Sequence, residues 1–220
     1  MNFETGDLYH IYNQGNNKIP IFYSQENYLF FLKKVINYIL PHADILAWCL
    51  MPNHFHLMVY VHTLEIEVSE DSDGFTPNSS DGFTSNSSDG FTRSEAVTKK
   101  KRDLNNSIGV LLRSYTRAIH KQEKMSGSLF RNPTHAECLT TPDTTTPSFY
   151  NTPYGTVINM HYPEEEYPQV CFNYIHNNPV QARLVKQAED WEFSSYPDYC
   201  GKRNGKLINR KRAEEFGLVI

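Results

Sequence analysis

Met51-Pro52-Asn53-His54-Phe55-His56-Leu57-Met58-Val59-Tyr60-Val61 is the stretch from which the fold can be read. Pro52-Asn53 is a turn signal, and the apolar run after it reads as a β-strand. Side chains alternate faces along a strand. His54 and His56 therefore share one face, with Cα atoms roughly 7 Å apart. Phe55, Leu57, Val59 and Val61 point the other way, toward a core. Two imidazoles side by side on a rigid strand make a natural pair of metal ligands. Taken alone, the His-x-His is equally compatible with polar decoration of a half-exposed strand.

Working backward, Ile45 to Met51 reads as a second strand, and the tight Pro52-Asn53 connection makes the two an antiparallel hairpin. Before it, Ser24 is a candidate N-cap for a helix from Gln25 to Leu40 that Pro41 stops. Tyr28, Leu29, Phe31, Leu32, Val35, Ile36 and Ile39 form its apolar face at helical spacing. Gly6 to Gln14 alternates Leu8/His10/Tyr12 against Tyr9/Ile11/Asn13, which predicts a first strand. Strand, helix, strand, strand is the first half of a ferredoxin-like α+β sheet.

Working forward, residues 63–95 carry eight acids and one base, a net charge of −7 in a chain of net −4. The rest of the chain is thus mildly basic at +3, which permits a polyanionic partner. The acidic segment holds three copies of Asp-Gly-Phe-Thr at an eight-residue period. One Phe per repeat buries too little to offset ordering entropy, so 63–95 is expected to be a flexible insertion in a single domain spanning 1–220. A calcium-binding repeat is the alternative, because Asp-Gly recurs, but its glycine-rich nonapeptide pattern is absent.

Asp103 to Glu123 reads as a helix buried along Leu104, Ile108, Leu111, Leu112, Tyr115 and Ile119. Arg102, Arg113, Arg117 and Lys121 offer phosphate contacts on or near it, as does Arg131 further on. A solvated basic face is the blander alternative. Ser128 to Asn132 and His135 to Thr140 look extended. Residues 140–163, rich in Thr, Pro, Asn and Tyr, read as a loop insertion. Cys49, Cys138, Cys171 and Cys200 form no Cys-x-x-Cys pair and are expected as free thiols of a cytoplasmic protein. No run of 18 apolar residues predicts a membrane-spanning helix, and no membrane partner is expected.

Glu164 to Asn177 reads as a further helix, its start set nearer Tyr167 by Pro168, with Asn178-Pro179 as a boundary. Residues i and i+4 of a helix lie on one face, roughly 6 Å apart. Tyr174 and Asn178 can thus converge if the last turn persists that far. Should they meet His54 and His56, the site holds two imidazoles, an amide oxygen and a phenol. That set suits phosphodiester cleavage: a divalent ion, Mg²⁺ or Mn²⁺, neutralises phosphate oxygens, and a tyrosine hydroxyl attacks. Nitrogen ligands alone would also accept Zn²⁺.

The chain resembles the single-tyrosine HUH transposases, the insertion-sequence 200-like group, and within it the REP-associated tyrosine transposases. The resemblance rests on Trp48-Cys49-Leu50-Met51-Pro52-Asn53-His54-Phe55-His56-Leu57, on Tyr174-Ile175-His176-Asn177-Asn178-Pro179-Val180-Gln181-Ala182, and on Trp191-Glu192-Phe193-Ser194-Ser195-Tyr196. Tyr12-Asn13-Gln14-Gly15 and Leu129-Phe130-Arg131 agree more loosely. It implies an α+β, ferredoxin-like antiparallel sheet with helices on one face and the histidine pair on a central strand. It implies His54, His56 and Asn178 as ligands of a divalent metal and Tyr174 as nucleophile. Its substrate would be single-stranded DNA bearing a hairpin, cleaved to a 5′-phosphotyrosine and a free 3′-hydroxyl. Members act as dimers or as monomers, so a homodimer is compatible with it. Two other readings compete: a host-adopted relative that binds DNA without cutting it, and a ferredoxin-like RNA binder that stacks bases on the tyrosines of Gly6 to Gln14. Should Tyr174 not be the nucleophile, Tyr115 is the substitute. The segment after Phe130, Arg131-Asn132-Pro133-Thr134-His135, departs from the basic and aromatic run usual in the group.

Overall fold

Apolar residues run almost without interruption through both arms of the 43–61 hairpin, and a strand pair built this way needs cover on both faces. A computed structural model describes residues 1–69, 99–140, 148–152, 155–159 and 167–220. Its elements run β1 (Leu8–Gln14), α1 (Gln25–Tyr38), β2 (Ala43–Met51), β3 (His54–Val61), β4 (Glu65–Ser69), β5 (Lys99–Asp103), α2 (Leu104–Glu123), β6 (His135–Cys138), β7 (Ser148–Thr152), β8 (Gly155–Asn159), α3 (Tyr167–Gln181), α4 (Tyr196–Tyr199) and α5 (Arg210–Glu215). β2, β3, β1 and β6, in that order, make one antiparallel sheet. With α1 after β1 and α2 between β3 and β6, this is the ferredoxin-like arrangement expected, and β3 is central.

α1 and α2 share one face, as anticipated. Phe31, Val35, Leu104, Ile108, Leu111 and Tyr115 pack there on Tyr9, Ile11, Trp48, Leu50, Phe55 and Leu57. Asp103 caps α2 by accepting from the Asn106 backbone N–H at 2.7 Å. The opposite face is covered too. Cys171, Phe172 and Ile175 of α3, with Ala213 and Leu218, bury Leu46, Ala47, Cys49, Met51 and Met58. A register shift between Ile45 and Ala47 turns Leu46 and Ala47 to this face in succession. Downstream of it, Trp48 and Leu50 face α1 while Cys49 and Met51 face α3.

The aromatic tail closes the free edge of β2. Leu50 N–H donates to the Phe193 carbonyl at 2.8 Å, and Ser195 N–H to the Trp48 carbonyl at 2.9 Å. An unpaired edge is thereby satisfied. Leu29 and Ile36, expected in the core, are 55% and 47% exposed. α1 buries a narrower stripe because only α2 and the sheet flank it. The four cysteines are free, with Cys49 and Cys171 buried. No described helix is long and apolar enough to cross a membrane.

The acidic insertion begins as a ribbon in which β4 pairs with β5; its octapeptide repeats lie outside the described residues. The 140–163 segment, read as a loop, contains a hairpin of β7 and β8. Each strand has its two apolar or aromatic residues side by side, Phe149-Tyr150 and Val157-Ile158, so no alternation revealed them.

At the foot of the β4–β5 ribbon, His42 is fully buried. Its Nε2 lies 2.8 Å from Ser107 Oγ and its Nδ1 3.3 Å from the Thr63 carbonyl. Ser107 Oγ also accepts from Arg102 Nε at 3.1 Å. The hydroxyl therefore donates to Nε2 of a neutral imidazole, whose Nδ1–H donates to Thr63. Burial, helped by the Arg102 charge, lowers the His42 pKa below 6.5, and the Thr63 bond opposes it only in part. On acidification the unfolded chain takes up this proton first, so stability present above about pH 6.5 is lost as pH falls further. The loss is at most about 1.4 kcal/mol per pH unit for one histidine. Urea unfolding at a series of pH values will show the decline, and His42→Gln will flatten its slope. An unchanged slope would assign the acid sensitivity elsewhere.

Candidate metal and tyrosine site

β3 places the histidines by its pleat. His54 stands opposite Gln14 and Met51, and His56 opposite Tyr12 and Cys49. All of these share the face on which α3 lies. α3 runs through Pro179 to Gln181, beyond the boundary expected at Asn178-Pro179. The proline removes one backbone donor near the helix end. The chain continues because Ala182 N–H still reaches the Asn178 carbonyl at 2.9 Å. The last turn therefore persists, and Tyr174 and Asn178 lie on one helical face above the imidazoles.

The contacts form a chain. His54 Nδ1 is 2.7 Å from Asn53 Oδ1, and His54 Nε2 is 3.1 Å from Asn178 Oδ1. Asn178 Nδ2 is 3.3 Å from His56 Nε2, and His56 Nδ1 is 2.9 Å from His10 Nε2. The Tyr174 ring stands edge-on to His56 at 5.4 Å between centroids. Asn178 is thus aligned with the Nε2 atoms of both histidines.

A neutral imidazole has one N–H. Asn53 Oδ1 takes that of His54 at Nδ1, which leaves the Nε2 lone pair facing another acceptor, Asn178 Oδ1. Two acceptors at this distance repel unless a proton or a cation lies between them. Burial lowers the pKa of His54 despite the Asn178 contact, and lowers that of His56 far more, with His10 and His54 adding to the effect. The proton is disfavoured, so the donor set fits a cation. Turning the Asn178 amide over would close the chain without one, since Nδ2 would then donate to His54. Among the described residues no group of three His, Cys, Asp or Glu side chains could hold a metal. The set here is two imidazoles and an amide oxygen, which leaves coordination positions open. Mg²⁺ and Mn²⁺ suit such a mixed set.

Tyr174 is half-buried, and burial raises its hydroxyl pKa above 10, while Asn178 pulls it back down and Cys171 and Glu137 add to the rise. The resting phenol is neutral. His10 is buried and held neutral, its pKa lowered to about 3 by burial. Tyr12 donates to Glu137 Oε1 at 2.7 Å, and its ring lies parallel to His135 at 5.1 Å. From sequence, His10 and Glu137 had no assigned role, Asn53 was read as a turn residue, and Tyr12 only as part of Tyr12-Asn13-Gln14-Gly15 and as a base-stacking tyrosine. The signal for His10 was its place beside Leu8 and Tyr12 on one strand face. That this face meets His56 depends on the β1–β3 register.

The basic residues separate. Arg102 is 7% exposed, stacked over Tyr38 at 5.1 Å and bonded to Ser107, so its guanidinium serves the core. Arg113, Arg117 and Lys121 are exposed on α2, across the sheet from the histidines. Arg131 is exposed and follows the strand end, its N–H donating to the Gln14 carbonyl at 2.8 Å. Gln14 is opposite His54, so Arg131 lies toward the site. Tyr115, the substitute nucleophile, is fully buried and donates to the Ile21 carbonyl at 2.7 Å. It is a core residue.

Among solved structures the chain is similar to a REP-associated tyrosine transposase bound to a REP hairpin, with a TM-score of 0.50 and 14% identity over 95% of this chain and 92% of that one. The two share a fold. No protein-family model matches the chain, nor does any curated protein sequence.

α3 is tied to β2 from its far side. His176 Nε2 lies 2.7 Å from Ser195 Oγ, which accepts from Trp48 N–H at 2.9 Å. All three are buried. Ser195→Ala leaves two buried polar groups without this partner and should lower the unfolding free energy by about 1–3 kcal/mol. Urea denaturation followed by tryptophan fluorescence measures it. A change within about 0.5 kcal/mol would show that the tie is dispensable.

Proposed function

We propose that the protein cleaves and rejoins single-stranded, hairpin-bearing DNA through a covalent 5′-phosphotyrosine on Tyr174. The observation that carries this reading is the convergence of Tyr174 and Asn178, one helical turn apart on α3, upon His54 and His56 of β3. The likeness of fold to a transposase bound to a REP hairpin supports it.

His54, His56 and Asn178 would hold Mg²⁺ or Mn²⁺ through two Nε2 atoms and Oδ1. A divalent ion there supplies charge neutralisation for the non-bridging oxygens of the scissile phosphate. Tyr174 supplies the nucleophile. As its Oη bonds to phosphorus, the phenol gives up its proton and the bond from phosphorus to the 3′ oxygen breaks. The 3′ oxygen leaves as a hydroxyl after gaining a proton. The phosphate ester is conserved on tyrosine, so a second 3′-hydroxyl can reverse the step and join strands. The half-buried position of Tyr174 fits a phenol that ionises only when a cation and phosphate are present. Arg131 would steady the strand near the scissile phosphate. Arg113, Arg117 and Lys121 would meet backbone farther along the DNA, because they lie across the sheet.

The test is a labelled hairpin oligonucleotide incubated with the protein and Mn²⁺, then run on a denaturing gel. The wild type should give a DNA–protein adduct that a chelator prevents. Tyr174→Phe should give none, while native-gel binding changes less than about threefold, roughly 0.7 kcal/mol. An adduct that survives Tyr174→Phe would remove Tyr174 from its role. Binding by the wild type without any adduct would favour a silent DNA-binding relative.

A further inference from the structure

The reading above uses two histidines, yet three are linked on this face of the sheet. His10 comes from β1, pairs at Cα level with Met58 and Glu137, and is 6% exposed. Its Nε2 is 2.9 Å from His56 Nδ1. The two ring centroids are 5.1 Å apart, with 23° between planes. Nitrogens this close with centroids this distant place the rings edge to edge and nearly coplanar. That is the orientation in which an N–H of one ring points along the lone pair of the other. The contact is a ring-to-ring hydrogen bond and not a face-to-face stack.

His10 cannot itself join His54 and His56 around one ion. Its Nε2 is turned to the Nδ1 side of His56, whereas Asn178 and the second imidazole lie on the Nε2 side. What His10 can do is accept the Nδ1 proton of His56. An imidazole whose Nδ1–H is held in this way has its Nε2 lone pair free and its ring fixed about χ2. Asn53 Oδ1 does the same for His54 from the adjacent residue. The difference is that Asn53 is local, whereas His10 couples the site to a neighbouring strand. Tyr12, tilted against His10 at 4.7 Å, and Tyr174, edge-on at 6.3 Å, close the space around the His10 ring.

We propose that His10 is a positioning residue that fixes the ring orientation and the protonated nitrogen of His56, so that His56 Nε2 is presented toward Asn178 as a ligand for a divalent cation. The cation part rests on the proposed function; the orientation of His56 does not. Partners of this kind hold metal-bound histidines in other proteins, and their loss typically lowers affinity 10–100-fold.

The test uses the full chain with His10→Leu, which removes the acceptor at similar bulk, and His10→Gln, whose carbonyl oxygen can replace it. Circular dichroism without metal checks that each variant folds. Mn²⁺ binding is followed by electron paramagnetic resonance without DNA. The expected result is at least a tenfold loss of Mn²⁺ affinity in His10→Leu and recovery to within about threefold of wild type in His10→Gln. Nitrogen-15 NMR of the metal-free imidazoles gives a second readout. In the wild type His56 should report one preferred tautomer, and in His10→Leu a mixture. Unchanged Mn²⁺ affinity and an unchanged His56 tautomer in folded His10→Leu would overturn the proposal, as would a loss that His10→Gln fails to restore. If the wild type binds no Mn²⁺, the metal reading falls, and the NMR comparison decides the role of His10.

Discussion

The seating of α3 across the histidine face of the sheet is the contact on which the site depends. Phe172, Cys171 and Ile175 fill the surface made by Leu46, Ala47, Cys49, Met51 and Met58. None of these groups is reactive in the proposed chemistry. Their apolar burial holds the helix at one height above the sheet. Tyr174 and Asn178 then project beside His54 and His56. The shift between Ile45 and Ala47 belongs to the same fit, since it presents Leu46 and Ala47 together to the helix. His176 and Ser195 secure the opposite side of α3 to β2, and the aromatic tail completes the β2 edge. Structure around the site is therefore of two kinds: an apolar bed that sets distance, and a few buried hydrogen bonds that set rotation.

Where the sequence could be read, local periodicity carried the reading. Ile45–Met51 and Leu57–Val61 are continuous apolar runs on either side of a Pro-Asn turn, and Gln25–Tyr38 and Leu104–Glu123 repeat at helical spacing, so four elements were placed within a few residues. The Tyr174/Asn178 pair was legible because an i, i+4 relation is fixed once a helix exists. What failed were relations set by tertiary context. Nothing local distinguishes Arg102, which folds inward onto Tyr38 and Ser107, from Lys101 beside it, which stays exposed. Pro179 signalled a helix end, yet a helix tolerates a missing donor near its last turn when packing favours continuation. His10 lay in a strand that was recognised, but its partner depends on the pairing of β1 with β3, which periodicity does not specify.

The electrostatics of the site follow from its composition. The imidazoles of His54 and His56 are kept neutral by burial, Asn178 is uncharged, and Tyr174 keeps its proton for the same reason. The nearby carboxylate of Glu137 is engaged by the Tyr12 hydroxyl. A carboxylate ligand would bind a hard cation more strongly but would offset part of its charge. Neutral ligands leave a divalent ion with nearly its full charge for whatever anion approaches. In a partly desolvated cleft that charge acts through a lower effective dielectric than water. On the proposed reading, this donor set would favour weak binding of the ion alone and tighter binding with a phosphate. The same field would lower the pKa of the Tyr174 hydroxyl, which burial otherwise raises. Ionisation of the proposed nucleophile would thus be coupled to assembly of ion and phosphate together, and a site with no DNA in it would hold an unreactive phenol.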